Sequence, residues 1–219
     1  MILAAHQTNY LPNLGFFYKM ARADQFVLIS NLQFEKQEGW QRRHKIKTTQ
    51  GDHWLTVPIY GSQYQKLKEV KVNNEIDWRK KHKRTIEVAY AKSKERNLLP
   101  EITALYEKPW ERLTDLNVAF ITLFKNVLNI KTPIVFDEEV SGEKHRLIIN
   151  ICKKYHADTF LSGVGSLEYM SEAYLNELSE NGITHTLVQK NLTASYPYSA
   201  IHYIMTEGRD AVLRLLETS

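Results

Sequence analysis

Residues 2–17 read Ile2-Leu3-Ala4-Ala5-His6-Gln7-Thr8-Asn9-Tyr10-Leu11-Pro12-Asn13-Leu14-Gly15-Phe16-Phe17. The apolar run Ile2–Ala5 has the character of a buried strand, and it stops at His6-Gln7. A polar stretch follows, and then Leu14–Arg22 has the apolar spacing of a helix. Strand, polar turn and helix in that order form the opening of a parallel β-α-β unit. Gln25–Ile29 supplies its second strand.

The C-terminal half repeats the pattern. Pro133–Phe136, Thr159–Leu161 and Thr184–Val188 read as strands. Glu143–Tyr155, Leu167–Asn181 and Ser199–Leu216 read as helices, with Gly182 ending the second of them. Alternation of this kind predicts an α/β fold with a largely parallel, Rossmann-like sheet and helices on both faces. Between the halves the pattern changes. Trp54–Ile59 and Leu67–Val72 alternate like antiparallel or edge strands, and helices are expected at Trp78–Ala91, Asn97–Glu107 and Trp110–Leu128. The expected organisation is one domain over 1–219, with a core of about 1–31 and 131–219 and a β and helical insertion over about 32–130.

Of the 219 residues, 43% are hydrophobic, enough for a packed core of this size. No stretch approaches the roughly 20 apolar residues needed to span a bilayer, so membrane insertion is not expected. The first residues lack the basic flank and cleavage site of a signal peptide. The single cysteine, Cys152, permits neither an internal disulfide nor a cysteine zinc site. These features lead to an expected cytoplasmic location. The net charge of +4 favours an anionic small molecule as partner. Much of the excess lies in Arg42-Arg43-His44-Lys45-Ile46-Lys47 and Arg79-Lys80-Lys81-His82-Lys83-Arg84. The charge is modest and no recognised nucleic-acid module appears, which disfavours nucleic acid as that partner.

In open parallel sheets ligands bind beyond the carboxyl ends of the strands. His6 and Gln7 hold that place on the first strand, with Asn9 and Tyr10 as orienting groups behind them. The loop Ser162-Gly163-Val164-Gly165-Ser166 holds it on a later one. That loop matches neither G-x-G-x-x-G nor the G-x-x-x-x-G-K-[ST] phosphate loop, so it names no cofactor. Trp78, His82, Ile86 and Ala89 form one helical stripe, which puts His82 on an apolar face beside Lys81. Asn117 interrupts the apolar stripe of the Trp110–Leu128 helix, and a buried amide needs partners. Asp137-Glu138-Glu139 reads as an acidic surface turn, and no metal-ligand set is read from the chain.

Larger stretches carry a family likeness. They include His6-Gln7-x-Asn9-Tyr10-Leu11-Pro12-x-Leu14-Gly15-Phe16-Phe17, Trp40-Gln41-x-Arg43-x-Lys45-Ile46-Lys47-Thr48 and Trp54-Leu55-Thr56-Val57-Pro58. Further along are Trp78-Arg79-Lys80-Lys81-His82, Leu116-Asn117, Asp158-Thr159-Phe160-Leu161-Ser162-Gly163 and Tyr169-Met170. In these the chain resembles the WbqC-like family, bacterial proteins whose genes often lie among those for lipopolysaccharide O-antigen and other surface glycans. It departs from the family at Thr8, at His44 and over about 189–208, where a His-Pro-x-Tyr-Pro-Gln-like stretch is usual.

The resemblance implies a transferase in surface-glycan biosynthesis, moving an aminoacyl or acyl group to a nucleotide-linked amino sugar. On that reading the catalytic residues are His6 and His82. The substrate-binding residues are Gln7, Asn9, Tyr10, Gln41, Arg43, Lys45, Trp78, Lys81, Asn117, Ser162, Gly163 and Tyr169. Arg43, Lys45, Lys81 and His82 would neutralise a diphosphate, and His6 would act as general base. Two other readings stay open. One is a non-catalytic nucleic-acid or polyanion-binding scaffold. The other is an enzyme like the nucleotidyl transferases, whose His-x-Gly-His turn lacks its second histidine here.

Overall fold

The computed structural model describes residues 1–35, 39–61 and 64–217, apart from the side chains of residues 144, 168 and 169. Strand β1 spans Ile2–Gln7, helix α1 Leu14–Ala21 and strand β2 Gln25–Ile29. Next come strands β3 (Arg43–Thr48), β4 (Gly51–Thr56), β5 (Ile59–Tyr60) and β6 (Lys71–Val72). Helices α2 (Trp78–Tyr90), α3 (Leu99–Ala104) and α4 (Leu113–Val127) follow. The chain then returns to strand β7 (Ile134–Asp137), helix α5 (Lys144–Lys154), strand β8 (Thr159–Ser162), helix α6 (Glu172–Glu180) and strand β9 (Thr184–Leu187). It closes with helices α7 (Leu192–Ser195), α8 (Ala200–Glu207) and α9 (Arg209–Glu217).

The central sheet has the order β7-β2-β1-β8-β9, and every pairing in it is parallel. The Rossmann-like layout expected from the sequence is therefore observed. From β1 the chain winds outward through β2 to β7, then crosses to the opposite side for β8 and β9. The winding reverses at the boundary between β1 and β8, where a crevice opens beyond the carboxyl ends of open sheets. β1 runs two residues past its apolar stretch because His6 and Gln7 still pair with Leu28 and Ile29.

Alternation along the strands divides the core in two. Ala4, Phe26 and Leu28 face one layer, which includes Leu14 and Phe17 of α1, Phe120 and Phe124 of α4 and Ile201 and Ile204 of α8. Leu3, Ala5, Val27 and Ile29 face the other, against Ile151 and Cys152 of α5 and Tyr174 and Leu178 of α6.

Several elements differ from the sequence reading for local reasons. Leu67–Val72 is not a strand throughout: Leu67–Glu69 forms a tight 3-10 turn, with the Glu69 carboxylate accepting from the Lys66 amide. The helix expected to start at Leu167 starts at Glu172, where Ser171 caps it by accepting from the Tyr174 amide, and a 3-10 turn fills Val164–Tyr169. The closing helix is split at Gly208, which lies at φ +95 and cannot continue a helix. Arg43–Thr48, read above only as a basic cluster, is half of a hairpin with β4, and its period-two alternation buries His44 and Ile46.

Candidate functional site

Two adjoining cavities lie at the β1–β8 switch point. The larger, about 490 Å³, is lined by His6, Gly15, Lys19, the Ser162–Ser166 segment and residues around Thr193. The smaller, about 160 Å³, is lined by His6, Asn9, Asn13, Phe16, Trp40 and His44, among others. His6, Gly15, Lys19, Gly163 and Thr193 border both. Gly15 makes this junction by close approach: a Cβ there would lie 2.2 Å from Thr193 Oγ1 and 2.9 Å from its amide nitrogen. Helices α1 and α7 could not meet across any larger residue.

His6 is half-buried, with its ring edge against Phe16 at 5.0 Å. Its Nδ1 donates to the Gln7 carbonyl at 2.9 Å, which leaves Nε2 as a bare acceptor. Burial, and then the charge of Lys19, pull its pKa down to about 3, so the ring is neutral. Lys19 is only 8% exposed. Its ammonium donates to the Ala5 carbonyl at 2.9 Å, and among the described residues no carboxylate pairs with it. Burial alone brings it down to about 8. A buried cation without a counter-ion is unfavourable unless a ligand supplies the charge.

The turn after β1 is stitched to the segment before β3. The Tyr10 amide donates to the Trp40 carbonyl at 3.0 Å. Gln41 Nε2 donates to Gln7 Oε1 at 2.9 Å, while Gln41 Oε1 accepts from the Glu35 amide at 2.8 Å. Asn117 holds both segments from α4, donating to the carbonyls of Thr8 at 3.1 Å and Gln41 at 2.7 Å. In the same turn Leu11 sits at φ +46, a left-handed conformation that costs a non-glycine residue about 1–2 kcal/mol, and its complete burial holds it there. Asn117→Ala would leave the two carbonyls unpaired. Its expected effect is a loss of about 2 kcal/mol of stability in urea titration.

The structure thus brings His6, Gly163 and Asn9 to the cavities and gives Gln7, Gln41 and Asn117 the task of fixing the loops around them. Ser162 also borders the larger cavity, but it points to the opposite sheet face, where its hydroxyl meets His185 Nε2 at 2.8 Å. The backbone of Tyr169 ends the 3-10 turn, and its side chain lies outside the described residues.

The structure does not group His82 with His6. The imidazole is enclosed: Nδ1 meets the Tyr10 hydroxyl at 2.9 Å, Tyr10 meets the Tyr106 hydroxyl at 2.6 Å, and Trp78 packs edge-on at 5.2 Å. Apolar packing of the α2 stripe carried His82, Trp78 and the Tyr10 ring into the core, away from the cavity walls. Arg43 lies over the Trp54 ring at 4.9 Å, and Lys45 pairs with Asp52 at 2.8 Å. Neither these nor the exposed Lys81 borders the cavities. Asp137 ends β7 structurally, accepting from the Glu139 and Val140 amides and from the Tyr155 hydroxyl.

Lys19 and His44 are the site residues that sequence reasoning missed. Lys19 sits in Leu14-Gly15-Phe16-Phe17-Tyr18-Lys19-Met20, a run apolar on every side, where any charge must be buried.

A family model for the WbqC-like protein family matches residues 7–206, a span that takes in the end of β1, every cavity-lining residue but His6, and α8 as far as Thr206. The chain belongs to the WbqC-like protein family. It is 30% identical over 183 residues to the uncharacterized protein Rv1507c of Mycobacterium tuberculosis, covering 81% of this chain and 78% of that one. No solved structure matches it. In this WbqC-like chain no described helix is long and apolar enough to cross a membrane.

Proposed function

We propose that this WbqC-like protein is a transferase of bacterial surface-glycan assembly. It moves an acyl or aminoacyl group from an activated ester or thioester to the amine of a nucleotide-linked sugar. The observation that carries the reading is the buried Lys19 ammonium beside the bare His6 Nε2, at the switch point of a parallel sheet and open to a cavity of ligand size. The surface-glycan setting comes from the family likeness.

In this reading a phosphate of the nucleotide lies against Lys19 and supplies the missing counter-charge. Its approach also relieves the repulsion that Lys19 exerts on a protonated His6, raising the basicity of Nε2 when substrate is present. His6 then takes a proton as the amine attacks the acyl carbon. The new carbon–nitrogen bond forms, the bond from that carbon to the carrier's oxygen or sulfur breaks, and the carrier leaves with the proton.

Titration with nucleotide-linked amino sugars, followed through the fluorescence of Trp40, tests the binding half. Saturable binding below millimolar concentration is expected, and none at millimolar would overturn the reading. For the chemistry, His6→Gln is expected to lower turnover by about 100-fold or more with little change in affinity, since only proton transfer is lost.

A further inference from the structure

Two tryptophans stand in the open beside the site. Tryptophan is highly buried on average, yet Trp40 is 38% exposed and Trp54 44% exposed. Their ring centroids lie 6.1 Å apart with the planes tilted by 35°, so the two indoles make one continuous aromatic shelf. Both are held in place. Trp54 projects from β4 opposite Lys45, and the Arg43 guanidinium rests against its ring at 4.9 Å. The Trp40 carbonyl accepts from the Tyr10 amide, and the Trp40 ring lies 4.6 Å from that of His44. Contiguous exposed apolar surface marks a contact site far more often than scattered single residues do.

The shelf is continuous with the candidate site, because Trp40 lines the smaller cavity together with His6 and Lys19. The two cavities differ in character. Among the described residues, no Trp, Tyr or Phe lines the larger one, whereas Phe16 and Trp40 line the smaller. A nucleotide-linked sugar with a phosphate against Lys19 and its amine beside His6 has one flat group left to place, the base. The larger cavity offers that group no aromatic ring to lie on. The smaller one, about 160 Å³ or roughly five waters, is too small for a whole nucleotide, and Trp40 leads from it out to Trp54. The sugar cannot occupy the shelf in this arrangement, since its amine must stay beside His6.

We infer that Trp40 and Trp54 form the platform on which the nucleobase of the bound nucleotide stacks. The assignment rests on the transferase reading above and adds to it the place of the base. Stacking on an aromatic side chain accepts any base, because every base has a π face, so a uridine nucleotide serves as the probe.

The wild-type protein is titrated with UMP and with ribose 5-phosphate, which keeps the phosphate and lacks the base. Both titrations are repeated on Trp54→Ala and Trp54→Phe, with urea titration as a check on folding. UMP is expected to bind at least about tenfold more tightly than ribose 5-phosphate and to quench tryptophan fluorescence. Trp54→Ala is expected to weaken UMP binding by about tenfold and to leave ribose 5-phosphate unaffected, while Trp54→Phe, which keeps a ring, retains most of the affinity. The wild-type comparison needs no variant and decides alone if the alanine protein fails to fold.

Equal binding of UMP and ribose 5-phosphate, no binding of either, or UMP affinity indifferent to Trp54→Ala would overturn the inference. Glucosamine 1-phosphate that matches UMP and depends on Trp54 would give the shelf to the sugar ring instead. A thymidine octanucleotide that depends on Trp54 where UMP does not would give it to a nucleic-acid strand, and either result also overturns the inference. In each of these cases a nucleotide-linked amino sugar that still binds leaves the transferase reading standing. UMP that binds through Trp54, where no nucleotide-linked amino sugar binds, would sink that reading and keep the platform.

Discussion

Lys19→Met is expected to stabilise the empty protein and to remove most of its affinity for anions. The Lys19 ammonium is held at about 8 against an ordinary 10.5 because folding takes it out of water. That difference corresponds to about 3 kcal/mol of folding stability forgone at neutral pH. Methionine fills a similar volume without a charge, and the variant gives up one hydrogen bond to the Ala5 carbonyl, about 1 kcal/mol. The net expectation is a gain of about 2 kcal/mol at pH 7. A ligand phosphate that paired with the ammonium would lose its partner, weakening binding by roughly 100-fold.

The pH dependence identifies the cause. A depressed amine binds fewer protons folded than unfolded, so wild-type stability should rise between about pH 8 and pH 10.5. In the methionine variant that rise should vanish. Urea titrations of both proteins across this interval, with nucleotide binding measured at pH 7, make the comparison. A variant less stable than wild type, or one that keeps its affinity, would show that Lys19 is an ordinary packing residue.

Much of this site is legible in the sequence because strand ends are legible. An apolar run that stops at His6 marks the carboxyl edge of the sheet, and Gly163 after Phe160-Leu161-Ser162 marks it again beside the first. Periodicity also buried His82 correctly, since Trp78, His82 and Ile86 share a face. It carries no information on what that face meets, and the answer is a tyrosine-lined part of the main core, beside Phe120, rather than the ligand crevice. Charge clustering misleads in a related way. Arg42–Lys47 reads as one cationic surface, but on a strand neighbouring residues point to opposite sides. Lys45 and Arg43 turn outward to Asp52 and Trp54, and His44 turns in. Which inward residue then reaches a cavity depends on the Asn117 bridge between distant segments, and no local pattern encodes it.

Below neutrality the protein is expected to lose stability early, and histidines rather than carboxylates are the reason. His6 is held to about 3, and His44 and His82 to about 4, in each case mainly by burial. Around His82 stand the Tyr10, Tyr106 and Trp78 rings and the Thr56 carbonyl, with His53 adding a further repulsive charge, and among the described residues no carboxylate bonds its ring. Protonating His44 would exchange the bond from the Lys45 amide for one to the Lys45 carbonyl at 3.3 Å, so burial carries its shift. In the unfolded chain all three take a proton near 6.5, so the unfolded state binds more protons from there down to about 4 and below. The histidine contribution is therefore complete above pH 6.5 and falls continuously below it, by about 3 kcal/mol per histidine at pH 4. Together the three are comparable to the whole stability of an ordinary domain, about 5–15 kcal/mol. Asp137 cannot produce this loss: its amide, tyrosine and lysine partners hold it below its ordinary 3.8, so its contribution falls only at lower pH. Urea titrations from pH 7.5 to pH 4.5 should show a slope that begins near 6.5. His82→Gln, less stable at pH 7, should show a slope about one third less steep. A flat profile down to pH 4.5 would mean that these rings reach solvent or a counter-charge, and the closed tyrosine–histidine core described here would be wrong.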